Sequence, residues 1–473
     1  MVGTRWRRFG ITLIVLAIIT VAFPGSSSAI TADWSGYLAG VEHHSYQSGD
    51  TTITPGNAST LVHVWTWIPD LVRGGPARKQ IFSSPTVVDG TIYIGANTGD
   101  FYALDDSTGG VIWKTHLGFQ PMLTCKARGF TATATVATDP VTQSLTVYVA
   151  AGDGYLYAID ASDGSIVWKS LVVEQGTTSN EGYNWASPTV SGGHVFMGVS
   201  SQCDDPLIRG GVREYDQETG TALGTYWTVP DGSVGGSVWS SVATTPDGAE
   251  AFVTTGNADT TLGADPGDSF SIVRLNGTTL QKEDIWTIPG LNGTDKDFGA
   301  SPTLFSGTIG GTVTSLVGAC NKNGKFYALR ANNLAAGPVW NRRVGGAMCF
   351  PSAVYDGSRL FVSGDTTTIA GTTYRGSVRE LVPSTGRPLW ETGLNGHIVG
   401  TPTLNGSNVL AAPFYDFDPS AAKGVVLLDA TNGSVLTTLP TGGKSVWAQA
   451  VFADGHLFIG TIGDGLYGFA LPS

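Results

Sequence analysis

The chain has 473 residues, 14% of them charged, and a formal net charge of −12. An acidic balance of this kind disfavours nucleic acid or an anionic membrane as partner. Its 65 glycines and sparse charges suit many short strands joined by tight turns.

In chain order, the first element is a targeting segment. Arg5, Arg7 and Arg8 give a basic start, Ile11 to Phe23 form an apolar run, and Ser27-Ser28-Ala29 make a small-residue cleavage site. The run is short for a membrane span. Residues 1–29 therefore read as a signal peptide, with a mature domain over 30–473 that is secreted, periplasmic or at the cell surface. In such an oxidising compartment Cys125, Cys203, Cys320 and Cys349 are expected to pair. Cys320 with Cys349 is the first guess, leaving Cys125 with Cys203, although all three connectivities stay open. No Cys-x-x-Cys-His sequence occurs, so no covalent haem c is expected.

The mature chain then repeats one phrase: a strand, a short Asp/Gly turn, and a Trp. Tyr102-Ala103-Leu104-Asp105 runs to Thr108-Gly109 and Trp113, and Tyr157-Ala158-Ile159-Asp160 runs to Asp163-Gly164 and Trp168. Tyr215-Asp216 runs to Thr219-Gly220 and Trp227, with weaker copies ending at Trp286, Trp340 and Trp390. These Trp residues read as packing between repeats. A period of roughly 50 to 60 residues means a propeller blade or a solenoid unit. Each unit opens on a strand such as Ser84-Pro85-Thr86-Val87, Ser187-Pro188-Thr189-Val190 or Ser301-Pro302-Thr303-Leu304. An alternating strand such as Thr91-Ile92-Tyr93-Ile94-Gly95 follows, then the Tyr-Ala-Leu-Asp strand, then the Trp strand.

Seven such units span about Ser83 to Gly443, and Trp447 to Leu471 supplies three more strands. The missing fourth can come from Leu61 to Trp67, which would close a ring and hide its edges. The expectation is an all-β, eight-bladed propeller of four-stranded antiparallel blades. With strands A to D in each blade, the B-to-C turns and D-to-A crossings share one face. All four cysteines, with Gln202, Asp204, Asp205, Asn257, Asp297 and Lys322, fall there. Convergent loops on a rigid scaffold are where ligand sites form.

The opening Asp33-Trp34-Ser35-Gly36-Tyr37, then Thr52 to Asn57 and Leu61 to Trp65, resembles that of the eight-bladed quinoprotein alcohol dehydrogenases, which bind pyrroloquinoline quinone (PQQ). Asp297-Phe298-Gly299-Ala300-Ser301-Pro302 looks most like the polyvinyl alcohol dehydrogenase branch. The resemblance implies roles residue by residue. Trp239 would floor the quinone, Lys322 would contact its oxygens, and Arg128 after Cys125 matches a cofactor-binding segment. Asn257 and Asp297 would serve a calcium ion (Ca2+), and Asp297 would be the general base. The family's glutamate ligand should lie in Ser200 to Cys203, where no Glu occurs; Asp204 or Asp205 would replace it. The family's neighbouring cysteine pair is reduced to Cys125. The implied activity is oxidation of alcohol groups, small or polymeric, with electrons leaving to a separate acceptor. The alternative is a non-catalytic propeller serving as an extracytoplasmic binding or assembly platform.

Overall fold

Seven of the eight blades begin with a Ser or Thr that faces the ring axis, the eighth with Gln449, and this residue ties the blades together. In the computed structural model, which describes residues 1–3, 32–70, 79–120, 125, 128–175, 181–416, 418 and 420–472, the chain forms two units, Met1–Ile30 and Thr31–Ser473. All but the first three residues of the predicted signal peptide lie outside the described residues. Within the second unit, blades 1 to 7 occupy residues 86–116, 135–171, 189–227, 243–287, 303–343, 354–394 and 403–439. Blade 8 joins Ala450–Ala453, His456–Thr461 and Gly465–Ala470 to Val62–Trp67, which pairs antiparallel with the last of these. The eight blades and the closing strand are as expected. Among the described residues, no helix is long and apolar enough to cross a membrane.

The opening Ser or Thr makes an inter-blade belt. The N–H groups of Ser84, Thr133, Ser187 and Ser241 each donate to the next blade's hydroxyl, from Thr133 through Ser187 and Ser241 to Ser301, at 2.9–3.0 Å. Ser352 Oγ donates to Ser301 O, Ser352 N to Thr401 Oγ1, and Gln449 N to Ser84 Oγ. Between blades 7 and 8 the bond is one step along, from Thr403 Oγ1 to Ala450 O. Buried backbone N–H groups at strand starts need such partners.

Outside the belt, the repeat's Trp docks into the next blade. Trp113 Nε1 donates to Ala161 O at 2.9 Å, and its indole lies on Gly164, where a Cβ would come within 2.5 Å of Cε3. Gly164 also has φ +76°, so the turn needs glycine twice over. Trp65, Trp168, Trp340 and Trp390 meet Gly109, Gly220, Gly386 and Gly433 in the same way.

Trp227 departs from the expectation, and Trp286 meets it by a different contact, on Tyr327 of blade 5. Trp113 stands opposite Ala103, but the matching places in blades 3 and 4 hold Gly224, opposite Glu214, and Asp284, opposite Arg274. Between blades 3 and 4 the sizes are exchanged: Gly224 faces Leu280, which takes the left-handed turn position with φ +52°. Between blades 4 and 5, Asp284 accepts the N–H groups of Leu334 and Ala335 at 2.6 and 3.2 Å. Trp227 lies further along its strand, beside Arg209 and Arg213 of its own blade, and Trp286 packs on Tyr327.

The segment 34–46 crosses the A-to-B side and stitches the inner strands. It bonds in turn to Val87, Val136, Thr244, Leu304, Tyr355 and Leu404, and Leu38 N reaches Gln449 Oε1. Tyr37 reaches into the central channel and helps to close it from that side.

Gly164→Ala should lower stability by about 2 kcal/mol more than Gly193→Ala, since both pay for a left-handed alanine but only the first meets an indole. Gly193 has φ +84°, and a Cβ there would meet nothing within 4 Å. Urea unfolding of the two variants checks this.

Candidate functional site

Two residues before each belt position, a side chain points into the channel. Phe82, Trp185, Trp239, Phe350 and Trp447 make this tier largely aromatic. Gly299 belongs to the same tier, and a Cβ there would lie 2.4 Å from Phe350 Cδ1 and 2.8 Å from Trp239 Cη2. Glycine therefore lets Trp239 and Phe350 meet edge to face, with centroids 5.8 Å apart at 70°. Towards Tyr37, the tier roofs a chamber of about 90 Å³ lined by the belt hydroxyls. On its other side lies a cavity of about 210 Å³, lined by Trp185, Trp239, Trp447, Asp204, Asp295, Asp297, Lys322 and Cys203.

The charged groups of this cavity are bonded to one another. Asp297, 1% exposed, sits in the crossing from blade 4 to blade 5, and Lys322 follows strand B of blade 5. Lys322 Nζ donates to Asp297 Oδ1 at 2.7 Å and to Asp295 Oδ1 at 2.5 Å. Trp239 Nε1 donates to Asp297 Oδ2 at 2.7 Å, and Lys322 Nζ also lies 4.9 Å from the Trp239 ring centre. Burial pushes the Asp297 carboxyl upward, against the opposing pull of Lys322 and the Trp239 N–H. Burial works to lower the Lys322 ammonium, but Asp297 and Asp295 outweigh it and hold it above its ordinary range.

Asp204, in the B-to-C turn of blade 3, has φ +59° and accepts from Ser201 Oγ. Its Oδ2 accepts from Asn257 Nδ2 at 2.8 Å, and Asn257 Oδ1 accepts Lys296 N–H at 3.1 Å. Asn257 thus links the Asp204 turn to the Asp295–Asp297 segment. It stands behind Asp204 rather than in the cavity wall. Two aspartates and an amide are hard oxygen donors of the kind a calcium ion takes. Three carboxylates against one lysine leave the cavity short of positive charge, and the aromatic floor suits a planar ring. The two aspartates and the aromatic floor fit the groups that the resemblance implies, whereas the Asn257 oxygen is held by the Lys296 N–H outside the cavity wall.

The disulfides pair Cys125 with Cys203 and Cys320 with Cys349, with Cα atoms 6.5 and 5.6 Å apart. This is the first-guessed connectivity. Cys320 lies within strand B of blade 5, one residue before its end at Asn321, rather than in the turn. The first bridge ties the blade 1 to 2 crossing to the turn that carries Asp204. Under it, buried Glu181 accepts the Cys125 N–H at 3.2 Å. Arg128 stands between the rings of Phe82 and Trp185, at 4.9 and 5.2 Å, and is not among the residues lining the cavity.

Sequence reasoning missed Trp185, Phe350, Trp447, Glu181 and the bond from Asp295. For the three aromatics a signal existed: each lies two residues before a belt position, as Trp239 does. Glu181 and Asp295 carry no such register.

The family described as "PQQ: Glucose/ethanol/alcohol dehydrogenase, beta-propeller domain" matches residues 34–341, which hold every member of the charged array. The chain belongs to this PQQ propeller family. Residues 332–436 match a second description, "PQQ_2: Outer membrane protein assembly factor BamB". Among relatives, quinohemoprotein alcohol dehydrogenase ADH-IIG of Pseudomonas putida is 28% identical over 318 residues, 59% of this chain and 41% of that protein. A polyvinylalcohol dehydrogenase of a Pseudomonas species is 24% identical over 356 residues, 66% of this chain and 51% of that protein. The chain spans about half or less of the length of such relatives. The solved structure of ADHIIG from Pseudomonas putida HK5 shares the fold with TM-score 0.75 at 18% identity, covering 93% of this chain and 80% of that one.

Lys322→Met should cost about 3–5 kcal/mol, because it leaves the Asp297 carboxylate buried without its cation. Adding Asp297→Asn should restore roughly half of that. The deficit of the single variant should shrink on acidification. Its folded-state carboxyl titrates above the unfolded one, so the penalty is full above the folded value and gone once both states are protonated. Urea unfolding across pH checks both.

Proposed function

We propose that the chain is an extracytoplasmic, PQQ- and calcium-dependent oxidoreductase that acts on alcohol groups and passes electrons to a separate acceptor. The observation that carries the reading is the single bonded array of Trp239, Asp297 and Lys322 over an aromatic floor, with Asp204 and Asn257 at its edge. The two disulfides support an oxidising compartment.

When bound, the quinone supplies a hydride acceptor and the cation a Lewis acid. Trp239, Trp185 and Trp447 offer the indole surface on which a planar ring would rest. Lys322 supplies positive charge where negative charge develops on reduction. Asp204 and Asp297 would hold the ion, with Asp204 taking the place of the absent glutamate and positioned by the Asn257 amide; Asn257 itself would join them only with its amide turned from the Lys296 N–H.

Asp297 is the base in this reading. The Trp239 N–H fixes Oδ2 and Lys322 fixes Oδ1, so the carboxylate plane is set before a substrate arrives. Burial strengthens it as a proton acceptor, while Lys322 keeps it ionised. The platform reading draws support from the match of residues 332–436 to the assembly-factor family, but that stretch contains none of Asp204, Trp239, Asn257, Asp297 or Lys322.

Adding PQQ and Ca2+ to the purified protein should quench its Trp fluorescence saturably, and Trp239→Ala should weaken that response. With a dye acceptor and an alcohol, Asp297→Asn should cut turnover by about 10²–10⁴-fold while the quenching persists. Absence of quenching, or full turnover in Asp297→Asn, would remove the proposal.

A further inference from the structure

Two of the three N–H donors of the Lys322 ammonium are held by carboxylates. Its ammonium meets Asp297 at 2.7 Å and Asp295 at 2.5 Å, and the rings of Trp239 and Phe350 lie 4.9 and 5.5 Å away. A ligand that needs the full charge of this cation must therefore compete with the two carboxylates.

The two differ in what holds them. The Asp297 side chain is 2% exposed, and its second oxygen is occupied by Trp239. Its carbonyl accepts the Lys322 N–H, and the next residue's N–H bonds to Thr255 O. Moving Asp297 would strand several buried polar groups. Asp295 is 82% exposed, and its carboxylate can rotate into water and be hydrated there. It also sits at φ +55°, on a residue type that tolerates the left-handed region, so the backbone aims it at Lys322 without a buried anchor. Among the described residues Lys322 is its one side-chain partner.

We propose that Asp295 is a displaceable latch, an internal anion that holds Lys322 until an anionic group of a ligand takes its place. The ligand class is a planar molecule bearing carboxylate or quinone oxygens, and its identity as PQQ rests on the proposed function. Neutral molecules of the same shape leave the latch closed, because they offer nothing in exchange for an ion pair. Asp295 thus sets affinity and selects for charge without entering the chemistry. It also guards Lys322 from solution anions when the site is empty, since an exposed pair at this distance re-forms readily and is weakened by salt.

The decisive variant is Asp295→Asn, an exposed change that leaves Asp297, Lys322 and Trp239 in place. Titrated with PQQ at low ionic strength and followed by Trp quenching, it should bind about 3–10-fold more tightly than the unaltered protein, as loss of a partly screened competing ion pair implies. The gain should shrink in about 0.5 M salt, where such pairs are screened. A second readout needs no quinone. Pyridoxal 5′-phosphate, an anionic aldehyde, is allowed to condense with lysine amines and is trapped with borohydride, and the Lys322 peptide is quantified by mass spectrometry. Labelling at Lys322 should rise several-fold in Asp295→Asn and be absent in Lys322→Arg. Unchanged affinity and unchanged labelling would overturn the latch. So would weaker PQQ binding, which would make Asp295 a ligand contact rather than a competitor. If neither protein binds PQQ but Lys322 labelling still rises, the latch stands and the dehydrogenase reading falls.

Discussion

The belt of N–H···Oγ bonds around the channel is the constraint from which the rest of the structure follows. A propeller blade is free to rotate about its radius unless its inner edge is fixed. Here the inner strands of blades 1 to 4, 6 and 8 donate a backbone N–H to a hydroxyl of the next blade, as from Ser84 to Thr133, Ser187, Ser241 and Ser301, and hydroxyl-to-carbonyl bonds complete the ring. With that register fixed, the residue two positions earlier in every blade must point into the channel. The aromatic tier is therefore a geometric consequence of the belt. Trp239 is not an isolated plug but one member of a ring that includes Trp185, Phe350 and Trp447. Tyr37 and the strap at 34–46 close the channel beneath, so the tier is a floor with one open side.

The outer lock behaves differently, and two of its three exceptions fall where the chemistry lies. Trp-on-glycine docking joins blade 8 to 1, 1 to 2, 2 to 3, 5 to 6 and 6 to 7. It is missing between blades 3 and 4 and between 4 and 5, where Gly224 with Leu280 and Asp284 with the Leu334 turn take over, and between 7 and 8, where the blade 7 strand Val435–Leu439 carries no Trp and the outer strand of blade 8 comes from Val62–Trp67. Asp204, Trp239, Asn257, Asp297 and Lys322 are all supplied by blades 3, 4 and 5 or the crossings between them. The third departure follows from the way the ring is closed by an N-terminal strand, whereas the other two lie beside the cavity, where a functional site disturbs an otherwise regular sequence.

This explains how much can be read in the sequence. The blades and the closing strand are legible because period-2 alternation and the Asp/Gly turn recur in each unit. The Ser-Pro-Thr strand is legible as a strand but not as a belt, since the hydroxyl's partner lies some fifty residues away in the next copy, as from Ser84 to Thr133. Trp227 and Trp286 escape the repeat's logic because spacing from the turn does not fix the position opposite strand C. Trp113 lies four residues after its glycine, whereas four after Gly220 is Gly224 and the Trp comes later. At the site, resemblance and topology single out Asp204, Asn257, Asp297 and Lys322. Asp295 reads as a loop aspartate because its partner, Lys322, is brought to it only by the crossing of the chain between blades.

Charge decides what this cavity can hold. Lys322 is shared between Asp295 and Asp297, and Asp204 stands near enough to raise the Asp297 carboxyl further. Arg128 does not redress the balance, because its guanidinium is stacked between Phe82 and Trp185, outside the cavity lining. Buried carboxylates in excess of cations are costly unless a cation joins them or one becomes protonated. The two outcomes lead to different chemistry. Protonation would quench Asp297 as a base. A divalent ion between Asp204 and Asp297 would instead keep the carboxylates ionised and leave Lys322 available to an anionic partner. The same excess of negative charge that makes the cavity unfavourable when empty therefore favours the pair of ligands together, a cation first and an anion on Lys322 second, over either one alone.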